Sequence, residues 1–274
     1  MTHEAAERLE EFFRGFARGG VPLLLLDYDG TLAPFRVDRF KARPWAGVRE
    51  LLNLIQSQKK TRMVFITGRP ASELVPLLGL EQPLEAWGLH GAERLYPDGR
   101  RELEEAAPAI RRVLEELREQ LKRDSFGGFF EEKANGAAMH WRGASPKKAR
   151  LIEQRTRALF EPLARMDGLV LLEFDAGLEL RAGRDKGGAV EEILKEESGG
   201  RPAAYLGDDF TDEAAFQAIK GRGLSVLVRR ERRETAADVW LRPPAELKSF
   251  LKQWLETCRT LQPARSKSAP WTLT

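Results

Sequence analysis

Aspartates follow two apolar segments of the sequence, at points where a buried strand would end. Asp27 and Asp29 come after the four leucines at 23–26. A second apolar run at 203–206 is followed by three more: Asp208, Asp209 and Asp212. Adjacent negative charges repel and resist desolvation, so three or more carboxylates in one place require a cation. Oxygen-only ligands favour Mg²⁺, which binds carboxylates, water and substrate phosphate. Taken singly, each acidic segment could instead be a capped helix start or an acidic turn.

Two further positions carry side chains suited to a phosphate group. Thr67 follows the apolar run 63–66, and its hydroxyl and the backbone of Gly68 can donate hydrogen bonds to phosphate oxygens. Lys186 stands at the start of a predicted helix, where a cation opposes the helix dipole by roughly 0.3–1 kcal/mol. A nearby phosphoryl group and aspartate cluster would compensate that charge. The simpler alternative for residues 67–69 is a strand-to-helix turn.

Alternating strands and helices predict how these side chains come together. Pro44 is predicted to open a helix with an apolar face at 48–55, between the first two strands. The predicted fold class is α/β, with a doubly wound parallel sheet. Ligands of such folds bind beyond the carboxyl ends of the strands, so the aspartates and Thr67 should share one crevice. Four apolar runs are typical of strands buried on both faces of that sheet: 23–26, 63–66, 86–89 and 203–206.

The pattern changes after the turn signal at 96–99. Two amphipathic helices alternate there with two predicted hairpins, the first of which turns at Asn135-Gly136. This alternation predicts an inserted α+β domain with an open sheet over residues 98–182. The flanking parts of the chain would form the core: 1–97 and 183–274.

The composition of the 274-residue chain is that of an ordinary globular protein, with 42% hydrophobic and 32% charged residues. Its formal net charge of +3 suits an anionic small molecule but is too small to indicate nucleic acid. No apolar run reaches membrane-spanning length, and the N-terminus is too acidic for a signal peptide. Cys258 is the only cysteine, which excludes a disulfide within the chain. We expect a cytoplasmic monomer that binds neither nucleic acid nor membranes, with residues 262–274 as a loose tail.

The four polar segments together resemble the haloacid dehalogenase superfamily of phosphatases. Asp27-x-Asp29-Gly-Thr matches its first motif, Thr67 its second, Lys186 its third and residues 207–212 its fourth. The resemblance implies a Rossmann-like core with an inserted cap domain. It also implies that Thr67 and Lys186 offset the charge of the transferring phosphoryl group.

The same resemblance implies catalytic and metal-binding roles for the aspartates. Asp27 would be the nucleophile, and Asp29 the general acid and base. The implied Mg²⁺ ligands are Asp27, the backbone carbonyl of Asp29, and Asp208. Asp209 and Asp212 would support these ligands without touching the metal ion.

Within that superfamily, the sequence resembles the trehalose-6-phosphate phosphatase family. The matching core segments are 27–34, 88–91 and 207–213. The matching segments of the insert are Glu131-Glu-Lys133, His140-Trp-Arg142 and 177–181. The family usually has proline after the last of these segments, where Ala182 stands here. The substrate-binding residues implied by the resemblance are Arg69, His90, Glu131, Lys133, His140, Arg142, Glu179 and Arg181.

The residues leave alternative functions open. Charged side chains lining a lid could grip sugar hydroxyls through charge-assisted hydrogen bonds, but they could also be ordinary exposed strand faces. A small-molecule sugar phosphate is the expected substrate, and sucrose 6-phosphate or a glycosyl-phosphoglycerate is the alternative to trehalose 6-phosphate. A sugar-phosphate sensor without catalysis is a third hypothesis, because such folds can persist as binding modules. The presence of every residue needed for turnover speaks against the sensor.

Overall fold

The computed structural model describes residues 3–261, apart from residues 19, 37, 134, 175, 198 and 199. The tail predicted at 262–274 lies outside the described residues. Two β-sheets organise this part of the chain, one with eight strands and one with four. Among the described residues, helices with the length and apolar composition needed to cross a membrane are absent.

The larger sheet is mostly parallel. Its strands, numbered in chain order together with those of the smaller sheet, are β1 Leu23–Leu26, β2 Arg62–Ile66, β3 Glu85–Gly88, β4 Glu93–Leu95, β5 Arg101–Leu103, β10 Ala203–Gly207, β11 Leu224–Val228 and β12 Val239–Leu241. They lie in the order β12-β11-β10-β1-β2-β3-β4-β5. Neighbours are parallel from β12 to β3, and β4 and β5 are added antiparallel. The predicted α/β class is confirmed.

Helices cover both faces of this sheet, as the doubly wound prediction requires. The helices are α1 His3–Arg14, α2 Val48–Ser57, α3 Ala71–Leu78, α4 Pro108–Arg123, α5 Pro146–Leu163, α6 Lys186–Glu196, α7 Glu213–Ala218 and α8 Ala245–Thr260. Residues of α1, α2, α3 and α8 form the core on one face, and residues of α6 and α7 form it on the other. Cys258 of α8 is buried in this core, as predicted.

Strand β1 illustrates why a central strand is apolar throughout. Leu24 and Leu26 pack into the core on one face, while Leu23 and Leu25 pack into the core on the other. Each of the four is at most 1% exposed. Burying one leucine side chain contributes about 1.5–3 kcal/mol, so both faces hold the strand that leads into Asp27.

The smaller sheet is antiparallel and is formed by the insert. Its strands are β6 Phe130–Lys133, β7 Gly136–His140, β8 Leu169–Phe174 and β9 Gly177–Ala182, in the order β6-β7-β9-β8. Both predicted hairpins are present. Alternate residues of β7 and β9 pack against α4 and α5: Ala137, Met139, Leu178, Leu180 and Ala182. The opposite face of this sheet therefore carries the residues between them, including Glu179 and Arg181.

Helix α2 begins later than predicted. Pro44 does not open it, because the next residue is tied to the loop after β1. The backbone N–H of Trp45 donates to the carbonyl of Leu32 at 2.9 Å, and its indole donates to the carbonyl of Thr31 at 3.2 Å. Gly47 then turns the chain with a φ of 84°, and the helix starts at Val48.

Strands β4 and β5 were not predicted. They flank the predicted turn at 96–99 and extend the large sheet. An ion pair between Glu93 and Arg101 joins them. Strand β5 lies inside the range 98–182 predicted for the insert but is paired with the core sheet, so the chain leaves that sheet only after Leu103.

Candidate active site

Asp27 lies at the centre of the site, directly after β1. Its backbone N–H donates to the carbonyl of Leu206 at 2.9 Å, which fixes the end of β1 against β10. Its side chain accepts hydrogen bonds from Nζ of Lys186 at 2.7 Å and from Oγ1 of Thr31 at 2.9 Å. Asp27 is 3% exposed, and burial raises its pKa to about 7 although Lys186 opposes the shift. The environment therefore resists a lone negative charge at this position.

Asp212 supports this arrangement by fixing Lys186 and the loop after β10. It is fully buried, and its Oδ1 accepts from Lys186 at 2.7 Å and from the Tyr205 hydroxyl at 2.5 Å. Its Oδ2 accepts from the backbone N–H groups of Asp208 at 2.9 Å and Asp209 at 3.0 Å. Both carboxylate oxygens of Asp212 are therefore engaged by protein donors.

The buried carboxylates have the composition of a cation site. Oxygens of Asp27, Asp208 and Asp212 lie within 4.8 Å of one another. Burial, followed by the charge of Asp27, raises the pKa of Asp208 well above its ordinary value. Three carboxylates face one ammonium group, that of Lys186, so a divalent cation would relieve the excess negative charge.

Close approach of the loop after β1 to the loop after β10 depends on a glycine. Gly30 has a φ of 85°, in the region that glycine adopts most readily. A Cβ at this position would lie 2.0 Å from Oδ2 of Asp208. The Asp-x-Asp-Gly sequence therefore brings Asp208 against the loop that carries Asp27 and Asp29.

Asp29 is held by an arginine. Nε and Nη2 of Arg69 donate to its two carboxylate oxygens at 2.5 and 2.6 Å. Arg69 is 6% exposed, and its guanidinium group is 5.7 Å from the centre of the Tyr28 ring. Arg69, which the sequence assigned to substrate binding, does not line the cavity described below. Its contacts indicate that it positions Asp29 instead.

Thr67 and His90 occupy neighbouring loops at the ends of β2 and β3. Thr67 is 1% exposed, and its backbone N–H donates to the carbonyl of Trp87 at 2.9 Å. The backbone N–H of His90 donates to the carbonyl of Thr67 at 2.8 Å. Both residues thus face the same end of the sheet as Asp27.

A cavity of about 250 Å³ opens at this end of the sheet, between the core and the insert. Its lining residues include, from the core, Asp27, Asp29, Thr67, His90, Lys186, Asp208 and Asp209, and from the insert, Lys133, His140, Leu172, Phe174 and Glu179. The structure therefore brings together all four predicted catalytic residues and three of the six substrate-binding residues predicted in the insert.

The cap residues form a charged group on the open face of the smaller sheet. Glu131 binds Nζ of Lys133 at 2.5 Å and Nε2 of His140 at 2.6 Å. Burial raises the pKa of Glu131, but these hydrogen bonds outweigh it and leave the pKa below its ordinary value. Burial raises the pKa of Glu179, against the opposing charges of Arg181 and Lys133. Glu131 thus holds two cavity residues without lining the cavity itself.

Besides Arg69 and Glu131, two further predicted substrate residues lie outside the cavity lining. Arg142 is exposed beyond the end of β7. Arg181 is 4% exposed, and burial lowers its pKa against the opposing charges of Glu179 and Glu104.

Three supporting residues were not predicted from the sequence. Tyr205 lies in the apolar run of β10. A tyrosine in a strand predicted to be buried is the signal that could have revealed it, because a buried hydroxyl needs a hydrogen-bond partner. Arg229 and Arg233 follow β11 in an arginine-rich segment. They donate to the carbonyls of Asp208 at 3.3 Å and Asp209 at 2.7 Å, and so hold the loop after β10.

Comparison with known proteins identifies the family. The family model described as Trehalose-phosphatase matches residues 25–242. The chain belongs to the trehalose-phosphatase family. It is 32% identical over 253 residues to a trehalose-phosphate phosphatase of Mycobacterium marinum, covering 88% of this chain and 63% of that protein. It is 30% identical over 260 residues to trehalose 6-phosphate phosphatase RA3 of Zea mays, covering 86% of this chain and 70% of that protein.

The chain covers less than two thirds of the length of two relatives. The chain spans 62% of the protein from Mycolicibacterium paratuberculosis and 63% of that from Mycobacterium ulcerans.

Solved structures confirm the fold of this trehalose-phosphatase family member. A trehalose-6-phosphate phosphatase of Aspergillus fumigatus superposes with a TM-score of 0.71 at 24% identity, covering 91% of this chain and 97% of that one. A haloacid dehalogenase-like hydrolase from B. subtilis superposes with a TM-score of 0.58 at 17% identity, covering 84% and 98%. The fold is that of the haloacid dehalogenase superfamily.

Proposed function

We propose that this protein is a Mg²⁺-dependent phosphatase that hydrolyses trehalose 6-phosphate to trehalose and phosphate through an aspartyl-phosphate intermediate. One observation carries the proposal. The buried Asp27, bound by Lys186 and Thr31, lies in a cavity that is also lined by charged residues of the insert. Membership of the trehalose-phosphatase family supports the choice of substrate.

The donor set fits a magnesium ion, because the carboxylates outnumber the one buried ammonium group and all ligand atoms are oxygens. Asp27, Asp208 and the backbone carbonyl of Asp29 would hold the ion. Asp209 and Asp212 would keep the loop in place. When bound, Mg²⁺ supplies positive charge that offsets the charge of the phosphoryl group.

In the first half-reaction, a carboxylate oxygen of Asp27 attacks phosphorus and forms the aspartyl-phosphate. The bond between phosphorus and the sugar oxygen breaks, and its electron pair stays on that oxygen. Asp29, held by Arg69, gives the oxygen a proton, so the sugar leaves as the neutral alcohol. Lys186 and Thr67 offset the charge on the transferring group.

In the second half-reaction, Asp29 takes a proton from a water molecule. The water oxygen attacks phosphorus, and the bond to Asp27 breaks. Asp27 is thereby regenerated, and the proton that Asp29 lost in the first step is restored. Covering of the cavity by the insert would keep other water away from the intermediate.

We assign sugar recognition to the insert, because the reacting phosphate is common to many metabolites. Lys133, His140 and Glu179 line the cavity opposite the catalytic residues, and Glu131 orients the first two. We further propose that the protein consists of a core domain and a cap domain, and that β5 belongs to the core. We also propose that the protein is a cytoplasmic monomer.

A phosphate-release panel tests the proposal. Trehalose 6-phosphate, sucrose 6-phosphate, a glycosyl-phosphoglycerate and glucose 6-phosphate are compared with Mg²⁺ and with a chelator, and Asp27→Asn serves as the inactive control. We expect the highest kcat/KM for trehalose 6-phosphate and no release with the chelator. A higher value for another ester would reassign the substrate, and tight binding without release would indicate a sensor.

A further inference from the structure

The backbone of residues 89–91 stays in the left-handed region at three successive positions. The φ angle is 50° at Leu89, 57° at His90 and 110° at Gly91. Leucine and histidine carry a Cβ and are strained there, so the conformation persists only where its surroundings fix it. The N–H of Leu89 donates to the carbonyl of Arg69 at 3.0 Å, and that of His90 to the carbonyl of Thr67 at 2.8 Å. Strain of this kind concentrates at functional sites.

The loop places the His90 ring against Gly68, in the wall of the cavity. A Cβ built on Gly68 would lie 2.5 Å from Nε2 of His90, so the ring fills the space that a side chain would need. His90 lines the same cavity as Asp27, Thr67 and Lys186. The imidazole therefore adjoins the backbone that, together with Thr67, is suited to bind phosphate.

The surroundings of the ring determine which nitrogen carries its proton. Burial, followed by the charges of Lys186, Arg181 and Lys133, lowers the pKa of His90 well below its ordinary value, so the imidazole is neutral. Nδ1 is buried and has no hydrogen-bond partner among the described residues. An orphaned buried N–H is rarer in proteins than an orphaned acceptor. The proton therefore belongs on Nε2, the nitrogen beside Gly68.

We propose that His90 is an additional phosphate-binding residue, whose Nε2–H donates to a phosphate oxygen of the substrate. The left-handed loop is kept, in spite of its strain, because it sets the ring beside Gly68. A neutral donor adds a hydrogen bond to the anion without adding another charge to that of Lys186. The inference rests on the proposed function only in taking a phosphate ester as the ligand.

Four variants test this role, with inorganic phosphate as the probe and Mg²⁺ present. His90→Leu removes the donor at similar size, and His90→Gln keeps an N–H donor at a comparable reach. His90→Gly removes the ring and relieves the backbone strain. Leu89→Gly relieves the strain at the adjacent position, which is not part of the cavity lining, and serves as the matched control.

Calorimetry should show that His90→Leu weakens phosphate binding by about tenfold or more, the effect expected for a hydrogen bond to a charged acceptor. His90→Gln should stay near the wild-type Kd, and Leu89→Gly should equal it. The Tm of His90→Gly should match or exceed that of the wild type while its phosphate affinity falls. Loss of both would show a structural role and overturn the proposal.

Other outcomes would also overturn it. One such outcome is an unchanged Kd in His90→Leu, and another is a Kd for His90→Gln no better than that of His90→Leu. A third is a wild-type protein that does not bind phosphate.

The two proposals can fail separately. Wild-type protein that binds phosphate through His90 but hydrolyses no ester would reject the proposed function alone. An active enzyme whose phosphate affinity is unchanged by substitution of His90 would reject this inference alone.

Discussion

Replacing Arg69 with alanine should slow the hydrolysis of sugar phosphates far more than that of esters with good leaving groups. Arg69 binds both oxygens of Asp29, at 2.5 and 2.6 Å, and is 6% exposed. A hydrogen bond to a charged group contributes about 1.5–3 kcal/mol. If that free energy keeps Asp29 in position to protonate the sugar oxygen, its loss lowers kcat/KM for trehalose 6-phosphate about 10- to 150-fold.

The assay compares trehalose 6-phosphate with p-nitrophenyl phosphate. The nitrophenolate leaves without needing a proton, and kcat/KM does not include the later hydrolysis of the intermediate, so the loss on this ester should stay below about threefold. Arg39→Ala is the matched control, because Arg39 pairs with Glu73, the other carboxylate near Arg69. Equal losses on both esters would refute a positioning role for Arg69, and so would the absence of any loss.

Three further predictions concern Gly30 in the loop after β1, the buried carboxylate of Asp27, and Glu131 in the insert. Gly30→Ala should abolish Mg²⁺-dependent phosphate release, because the added Cβ would lie 2.0 Å from Oδ2 of Asp208. A Mg²⁺ titration checks this, and a wild-type titration curve would contradict it. Without metal ion, the Tm should fall as the pH rises from about 4 to 7, because burial raises the pKa of Asp27 from 3.8 to about 7 and the folded state holds the extra proton. Thermal melts with a chelator should show a smaller fall of the Tm for Asp27→Asn than for the wild type. Equal falls would contradict the assignment of this pH dependence to Asp27. Glu131→Ala should lower kcat/KM for trehalose 6-phosphate by roughly 100-fold while p-nitrophenyl phosphate hydrolysis changes little, because Glu131 orients Lys133 at the cavity. Equal losses on both esters would mean that Glu131 supports the fold.

The strands that carry the site could be predicted because burial on both faces leaves a continuous apolar run. The run at 23–26 is such a case, since its side chains alternate between two separate cores. Strands β4 and β5 could not be predicted in this way. Each has three residues, charged side chains interrupt both, and the Glu93–Arg101 contact that joins them across the hairpin is visible only in the structure.

The candidate site shows the same division between local and tertiary information. Asp27 could be assigned from its place after an apolar run, because strand ends of a parallel sheet converge. The role of Arg69 could not, since its partner Asp29 lies forty residues away on another loop. The left-handed backbone of His90 likewise depends on hydrogen bonds to a neighbouring loop. Sequence position indicates which residues are near the chemistry, and only their contacts distinguish reacting groups from supporting ones.

The central claim, that Asp27 carries the phosphoryl group, is tested most directly by trapping the intermediate. Enzyme turning over trehalose 6-phosphate with Mg²⁺ is quenched in acid, and its peptides are analysed by mass spectrometry. We expect a phosphoryl adduct on the peptide that contains Asp27, and no adduct or turnover in Asp27→Asn folded like the wild type. An adduct on another residue, or Asp27→Asn activity above about 10% of the wild-type rate, would contradict the account.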